Sequence, residues 1–299
     1  MEKKVLLIVN PNSSDGIARN WVFEIIETLS KRYESVTVYL SKCAGDIIRY
    51  VSENAKGYDS IVCCGGDGTV HEVLNGIYRC GEKIPLGYIP TGTTNDFAVT
   101  HGIPKNIKSA MQIIPSAEAH EYDAGLLDDM AFTYVAAFGA FIDVTYKTPQ
   151  NSKASFGWMA YIAEGAKRLP DLKPYSLRVE TDEKEISGDF ILGMVSNTKS
   201  VGGMGFLMAG ETTEKLSDGV LDVMLISYPD TAAKLQQVIR ELTVPSTPQN
   251  LVMRFTTEKI KFTFLSDPPE WTADGEFGGK FESVTVKVLP REILLLEEK

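Results

Sequence analysis

Between residues 5 and 90, short β-branched runs alternate with amphipathic stretches, and each run ends in a polar or glycine-rich segment. The runs are VLLIVN (5–10), SVTVYL (35–40), SIVCC (60–64) and PLGYIP (85–90), and between them lie Trp21 to Leu29, Ile47 to Val51 and Val70 to Ile77. Strands separated by helix-length pieces return in the same direction, so this order predicts βα units and a parallel sheet. Open sheets of that kind bind ligands beyond the carboxyl ends of their strands. The segments Asn10-Pro11-Asn12-Ser13-Ser14, Ser41, Gly65-Gly66-Asp67-Gly68-Thr69 and Thr91-Gly92-Thr93-Thr94-Asn95-Asp96 are therefore expected to converge on one edge.

After about Asp123 the pattern changes. SLRVET (176–181), DFILGMVSN (189–197), VLDVMLIS (220–227), KIKFTFL (259–265) and SVTVKVL (283–289) alternate with the period of antiparallel strands, interrupted by one expected helix, Trp158 to Leu169. A chain of 299 residues exceeds the usual single core. The expected fold is α/β: an N-terminal parallel-sheet domain over 1–124, then an antiparallel all-β sandwich over 125–289. A last strand, about 290–299, is expected to return to the first domain. No low-complexity linker separates the two, so a cleft between them is expected.

A net charge of −10 argues against nucleic acid as a partner, because neutralising a duplex needs a dominant basic field. Only five apolar residues, Val5 to Val9, follow Met1-Glu-Lys-Lys, too few for a signal peptide, and the run Met130 to Ile142 is too short to span a bilayer. The expectation is a cytoplasmic protein without a transmembrane segment. Cys43, Cys63, Cys64 and Cys80 show no CxxC spacing and no zinc pattern; they read as reduced thiols, mostly buried.

Neither G-x-x-x-x-G-K-[ST] nor a G-x-G-x-x-G after a strand occurs, which excludes a P-loop kinase and a Rossmann dehydrogenase. The GGDGT loop raises a question of charge. Its glycines let main-chain N–H groups approach an anion, yet Asp67 would repel one. Its ordinary explanation is a tight strand-to-helix turn. Thr91 to Asp96 adds hydroxyls, N–H groups and a second acid ahead of a helix expected near Phe97. Ordinary explanations also exist for Ala273-Asp274-Gly275-Glu276, a hairpin turn, and for Ser217-Asp218-Gly219, an Asx turn. The apolar stripe Trp158, Tyr161, Ile162, Ala166, Leu169 reads first as core, and with Lys167, Arg168, Lys173 and Arg178 nearby as a membrane-facing patch.

The motifs together are more specific than any one of them. NPNSS (10–14), GGDGTVHEVLNGI (65–77), PTGTTNDFA (90–98), DAG (123–125), VSNTKSVGGM (195–204), KLSDGVLDVML (215–225) and ADGEFGG (273–279) resemble, in order, the diacylglycerol kinase catalytic family and its soluble bacterial lipid kinases. The resemblance implies that Asn10, Pro11, Asn12, Ser13, Ser14, Ser41, Gly65, Gly66, Asp67, Gly68, Thr69, Thr93 and Thr94 contact ATP. It implies that Asp67, Asp96 and Asp123 form an acidic network reaching the nucleotide's Mg²⁺, and the cation answers the question of charge. Lys215, Asp218 and Val220 would ligate a structural Mg²⁺. Asp274 or Glu276 would accept the proton of a lipid hydroxyl, and Asp67 would serve catalysis through the cation. Ser14 replaces the family's usual glycine, with Gly16 two places on, and His71 stands where asparagine is usual; His71 is expected on the helix surface.

The reading that follows is an ATP- and Mg²⁺-dependent lipid kinase, with diacylglycerol giving phosphatidic acid as the family default. A lipid substrate implies transient peripheral contact with a membrane surface, and the resemblance implies a homodimer. The rival readings are an NAD kinase-like small-molecule kinase, disfavoured by PTGTTND, and a nucleotide- or lipid-binding protein without turnover.

Overall fold

The structure, a computed structural model, describes residues 2–140, 172–198, 216–244 and 250–298. The chain divides into two compact units, Met1–Ala124 with Pro290–Lys299, and Gly125–Leu289.

In the first unit β1 (Lys4–Val9), β2 (Ser35–Leu40), β3 (Ser60–Gly65) and β4 (Leu86–Pro90) are parallel, with Val5 level with both Val36 and Ser60, and Ile61 level with Leu86. The end of β15 (Ser283–Glu297) completes the sheet by placing Leu295 beside Leu86. The order is β2-β1-β3-β4-β15. The chain therefore winds one way from β1 to β2 and the other way from β3 to β4, and β1 and β3 flank a topological switch point, where ligands bind in such sheets.

Every residue of β3 and all but the first of β1 are buried, which is why both read as unbroken apolar runs rather than as alternation. Helices α1 (Ile17–Leu29), α2 (Asp46–Asn54) and α3 (Asp67–Cys80) are followed by the shorter α4 (Asp96–Thr100) and α5 (Ile107–Ile113). Gly76 lets α2 close on α3, since a Cβ there would sit 2.5 Å from Cβ of Val51. Packed between α2 and the sheet, α3 buries most of its surface. His71 is buried, at 3% exposure, with the Asn75 amide bonded to its carbonyl, and the surface position expected for it is corrected.

The second unit is antiparallel. Its strands are β6 (Met130–Phe132), paired with the end of β5 (Glu118–Leu127), then β7 (Val135–Gly139), β8 (Tyr175–Thr181), β9 (Glu185–Ser196), β10 (Leu221–Ser227), β11 (Val252–Thr257), β12 (Lys259–Phe264), β13 (Glu270–Ala273) and β14 (Glu276–Lys280). One path runs β14-β13-β7-β9-β8-β12-β15, and β10 joins β9 to β11. Its core is aromatic: Phe138 lies 4.8 Å from Trp271 and 5.7 Å from Phe262, ring centre to ring centre, and all three are fully buried.

The expectation of a single helix among these strands is corrected by α6 (Ala232–Thr243). Its Thr231 cap accepts from the N–H of Lys234, and Leu235, Val238 and Leu242 pack on Met224, Ile226 and Val252. The helix expected over Trp158 to Leu169, with Lys167 and Arg168, lies outside the described residues, as does the 199–204 part of VSNTKSVGGM. Lys173 and Arg178, read with it as membrane-facing cations, are exposed and ion-paired to Asp267 and to Glu180 and Glu185. Cys63, Cys64 and Cys80 are buried and Cys43 is exposed. No described helix is long and apolar enough to cross a membrane.

Candidate functional site

Beyond Val9 the chain stays level with β3, because Asn10 N–H donates to the Cys64 carbonyl at 3.0 Å. Asn10 then closes its own turn by accepting the Asn12 N–H on Oδ1 at 3.0 Å, and its amide donates to Thr69 Oγ1 at 3.1 Å. Ser13 reaches the loop after β4, its Oγ donating to the Thr91 carbonyl at 3.0 Å and accepting from Thr91 Oγ1 at 2.9 Å. Thr91 N–H donates to the Gly65 carbonyl at 2.8 Å, and Ser41 N–H to the Val9 carbonyl at 3.0 Å. The loops after β1, β3 and β4 are thus one bonded assembly at the switch point, holding Asn10, Ser13, Gly65 and Thr69 together.

Close backbone approach sets the glycines. A Cβ on Gly65 would overlap the Thr69 side chain, and one on Gly92 would lie 2.6 Å from Cα of Gly66 and 2.7 Å from Oδ1 of Asn95. Pro11 and Gly68 are half-buried beside them; Asn12, Thr93 and Thr94 are exposed, and Ser14 lies in the 3₁₀ turn Ser13–Gly16. Asp67 opens α3, and its Oδ1 accepts the Phe97 N–H at 3.0 Å, which ties the loop after β3 to α4. The acid in the glycine loop thereby joins two loops.

The sequence reading missed several residues that hold this assembly. Asn95 adopts φ 53°, accepts from the Gly92 N–H at 2.9 Å and from Tyr88 Oη at 3.1 Å, and donates to the Gly92 carbonyl at 2.7 Å. Glu72 of α3 accepts the N–H groups of Gly45 and Ile47, both at 3.1 Å, and Asp46 accepts the Lys42 N–H at 3.0 Å, fixing the segment after Ser41. The Asn signal was available, since asparagine is the residue after glycine that best tolerates positive φ. Glu72 gave none, because its partners are main-chain atoms distant in sequence.

The electrostatics leave this edge with few charges. Burial pushes the Cys64 thiol up to about 12, partly offset by its bond with Thr91, and burial raises Cys63 as well, so both stay neutral. Asp96 is buried at the start of α4. Asp123 is buried on β5, where its Oδ1 accepts the Arg291 N–H at 2.8 Å and so fixes the turn at positive φ before the end of β15. Among the described residues no three His, Cys, Asp or Glu side chains gather into a set that could hold a metal ion. Asp67 and Asp123 each accept a main-chain N–H, and Asp96 is buried.

The turn at Asp218 takes its ordinary form, with Asp218 Oδ1 accepting the Val220 N–H at 3.2 Å and Gly219 at φ 80°. Lys215 lies outside the described residues, so of the three ligands expected for a structural Mg²⁺ only Asp218 and Val220 are described.

The DGE segment is a hairpin joining β13 to β14, with Ala273 opposite Glu276 and both central residues, Asp274 and Gly275, at positive φ, 51° and 86°. Asp274 does more than turn the chain. It is buried, and Oδ2 accepts from Thr133 N–H at 2.7 Å and Thr133 Oγ1 at 3.1 Å, while Oδ1 accepts from the N–H groups of Tyr134 at 2.9 Å and Val135 at 3.1 Å. Tyr134 Oη closes the clamp on the Asp274 carbonyl at 2.8 Å. Glu276, two residues on, is exposed.

Comparison with known proteins covers both units. A family model for the diacylglycerol kinase catalytic domain matches residues 4–127, and one for the YegS C-terminal NAD kinase beta sandwich-like domain matches residues 135–297. A diacylglycerol kinase of Bacillus subtilis strain 168 is 30% identical over 283 residues, covering 93% of this chain and 91% of that protein. One from Staphylococcus aureus strain JH9 is 30% identical over 301 residues, covering 99% and 91%. The crystal structure of a diacylglycerol kinase from Bacillus anthracis strain Sterne shares the fold with a TM-score of 0.74 at 22% identity, covering 99% of this chain and 97% of that one.

Proposed function

The chain belongs to the diacylglycerol kinase family and is a kinase acting on a lipid alcohol, and on that premise we propose that it transfers the γ-phosphoryl group of ATP, with Mg²⁺, to diacylglycerol, giving phosphatidic acid. The observation that carries the reading is the bonded assembly of the loops after β1, β3 and β4 at the switch point, with glycines that admit nothing larger and exposed threonines beside them. Main-chain N–H groups at such an edge suit a polyphosphate.

Magnesium bound with the nucleotide would neutralise phosphate charge and polarise the transferring group. The donor set fits a cation carried mainly by the substrate's own phosphates, because Mg²⁺ keeps several waters and takes few protein carboxylates. Asp67, one oxygen of which already accepts the Phe97 N–H, and Asp96 are the acids nearest in sequence to the loops that would hold it.

Glu276 is the base in this reading, and Asp274 the residue that positions it. The Asp274 oxygens accept from the N–H groups of Thr133, Tyr134 and Val135 and from the Thr133 hydroxyl, so this carboxylate is committed to holding the turn. Glu276 is exposed on a hairpin whose turn that clamp holds rigid, so it accepts the hydroxyl proton as the oxygen attacks phosphorus.

Incubation with labelled ATP, Mg²⁺ and mixed micelles of diacylglycerol, other glycerolipids or sphingosine, or with NAD, tests the proposal. Label in phosphatidic acid is the expected result. Label in NADP, or in no product while ATP still binds, would replace it with the small-molecule kinase or the binding protein respectively.

A further inference from the structure

The phosphate loops hold no carboxylate cluster to recruit a cation, yet two basic side chains are fastened to them. Arg19, in the first turn of α1, donates from Nε to the Pro11 carbonyl at 2.9 Å and from Nη2 to Asn12 Oδ1 at 3.1 Å. Lys105, after α4, donates from Nζ to the Thr94 carbonyl at 2.7 Å. These are the loops after β1 and β4, and in the sheet order they lie on either side of the strand that carries GGDGT. Ser13 and Thr91 bond the two loops to each other, so both cations belong to one assembly.

Basic side chains on this molecule include those paired with a carboxylate and those, such as Arg32 and Lys83, that donate to main-chain carbonyls. Arg49 is paired with Asp46, Lys234 with Asp230, and Lys173 and Lys280 with Asp267. Among the described residues Arg19 and Lys105 have no carboxylate within ion-pair distance; their contacts are to loop oxygens. Arg19 also stands at a place where the helix dipole disfavours a cation. Its two bonds use two of the five N–H donors of the guanidinium, and the ammonium of Lys105 keeps donors beyond the one bonded to Thr94.

We propose that Arg19 and Lys105 are polyphosphate-binding residues, a pair of side-chain cations that meet the β- and γ-phosphates of the nucleotide from the loops on either side of GGDGT. The inference rests on the nucleotide reading of that edge and adds to it a source of positive charge independent of Mg²⁺. Arg19 is pre-organised for the task, since its planar fork is held on two acceptors while donors remain for a phosphate oxygen. Lys105 acts as a point charge on the opposite loop.

Calorimetric titration with MgATP, and with AMP by competition, tests the pair in the intact chain, together with melting temperature. Arg19→Gln is expected to weaken MgATP about tenfold, the scale of a charge-assisted hydrogen bond, while AMP stays within about twofold. Lys105→Met should give a smaller loss of the same kind, and Arg19→Lys should recover part of the Arg19→Gln loss. A loop clamp with no phosphate contact would weaken ATP and AMP equally, and that result, or no change in either, overturns the proposal. If Arg19→Gln melts early, Lys105→Met decides the matter by the same ATP-to-AMP difference. Wild-type protein that binds MgATP but phosphorylates no lipid would end the lipid-kinase reading alone; a wild-type lipid kinase with unchanged variants would end only this one.

Discussion

Asp67 and Asp274 both precede a glycine, one at the start of a helix in the first unit and the other in a hairpin turn in the second, and they differ in exposure. Asp67 Oδ1 accepts the Phe97 N–H, and the residue remains half-exposed at the edge where the loops meet. Asp274 is buried and accepts from the main chain of Thr133, Tyr134 and Val135 and from the Thr133 hydroxyl. The lesson is that an acid's chemistry follows from its donors, which lie far off in sequence, rather than from the motif around it.

The sharpest test of that contrast uses the hairpin. Glu276→Gln should lower kcat by about 10²- to 10⁴-fold, the usual contribution of a general base, with melting unchanged. Asp274→Ala should instead unfold in urea at a clearly lower concentration, because main-chain donors of Thr133, Tyr134 and Val135 lose their acceptor at about 1–3 kcal/mol each. A stable Asp274→Ala protein that is merely inactive would reverse the two assignments.

Glycine replacements probe the same two regions with a smaller effect. Gly92→Ala forces a Cβ against the Gly66 backbone, so the KM for ATP should rise about tenfold or more while lipid KM holds. Gly275→Ala meets only Tyr134 Oη at 3.7 Å and should cost about 1–2 kcal/mol of stability through its positive φ, with little change in ATP KM. Asp67→Asn keeps an oxygen for the Phe97 N–H and removes the charge; the expected outcome is a several-fold higher Mg²⁺ requirement at constant melting temperature, read from a Mg²⁺ titration of the rate.

The smallest effect concerns acid. The Tyr39 phenol, bonded at 2.7 Å, is the main cause holding Asp46 below the ordinary carboxylate range, with Arg49 and the Lys42 N–H assisting. A carboxylate with a depressed folded pKa stabilises the protein above its unfolded value and loses that contribution as pH falls through the folded one. The melting difference between wild type and Asp46→Asn should therefore be constant above about pH 5 and shrink below about pH 4. A difference that grows on acidification would show that Asp46 is not held in this way.

The strands of the first unit were legible because burial on both faces makes their composition unambiguous, as in Val5 to Val9 and Ile61 to Cys64. The loops after them were legible because glycines and hydroxylated residues there have few alternatives. What escaped was whatever depends on neighbours distant in the chain. His71 is buried, and no pattern within α3 reports the neighbours that cover it. Leu235, Val238 and Leu242 did carry helical spacing behind a Thr231 cap, so α6 was missed only because the surrounding alternation suggested strands throughout. Asp274 and Asp123 were recognised as important residues, but their partners, at 133–135 and 291, could not be foreseen from local sequence.

The strand β15 bears on how the protein comes into being. Residues 290–298, which set Leu295 against Leu86 and let the Tyr122 phenol reach Glu297 at 2.7 Å, leave the ribosome after every residue of the other unit. The portion translated first is thus the last to be finished, and until its closing strand arrives an open sheet edge at β4 waits in the nascent chain, where chaperones have most reason to intervene.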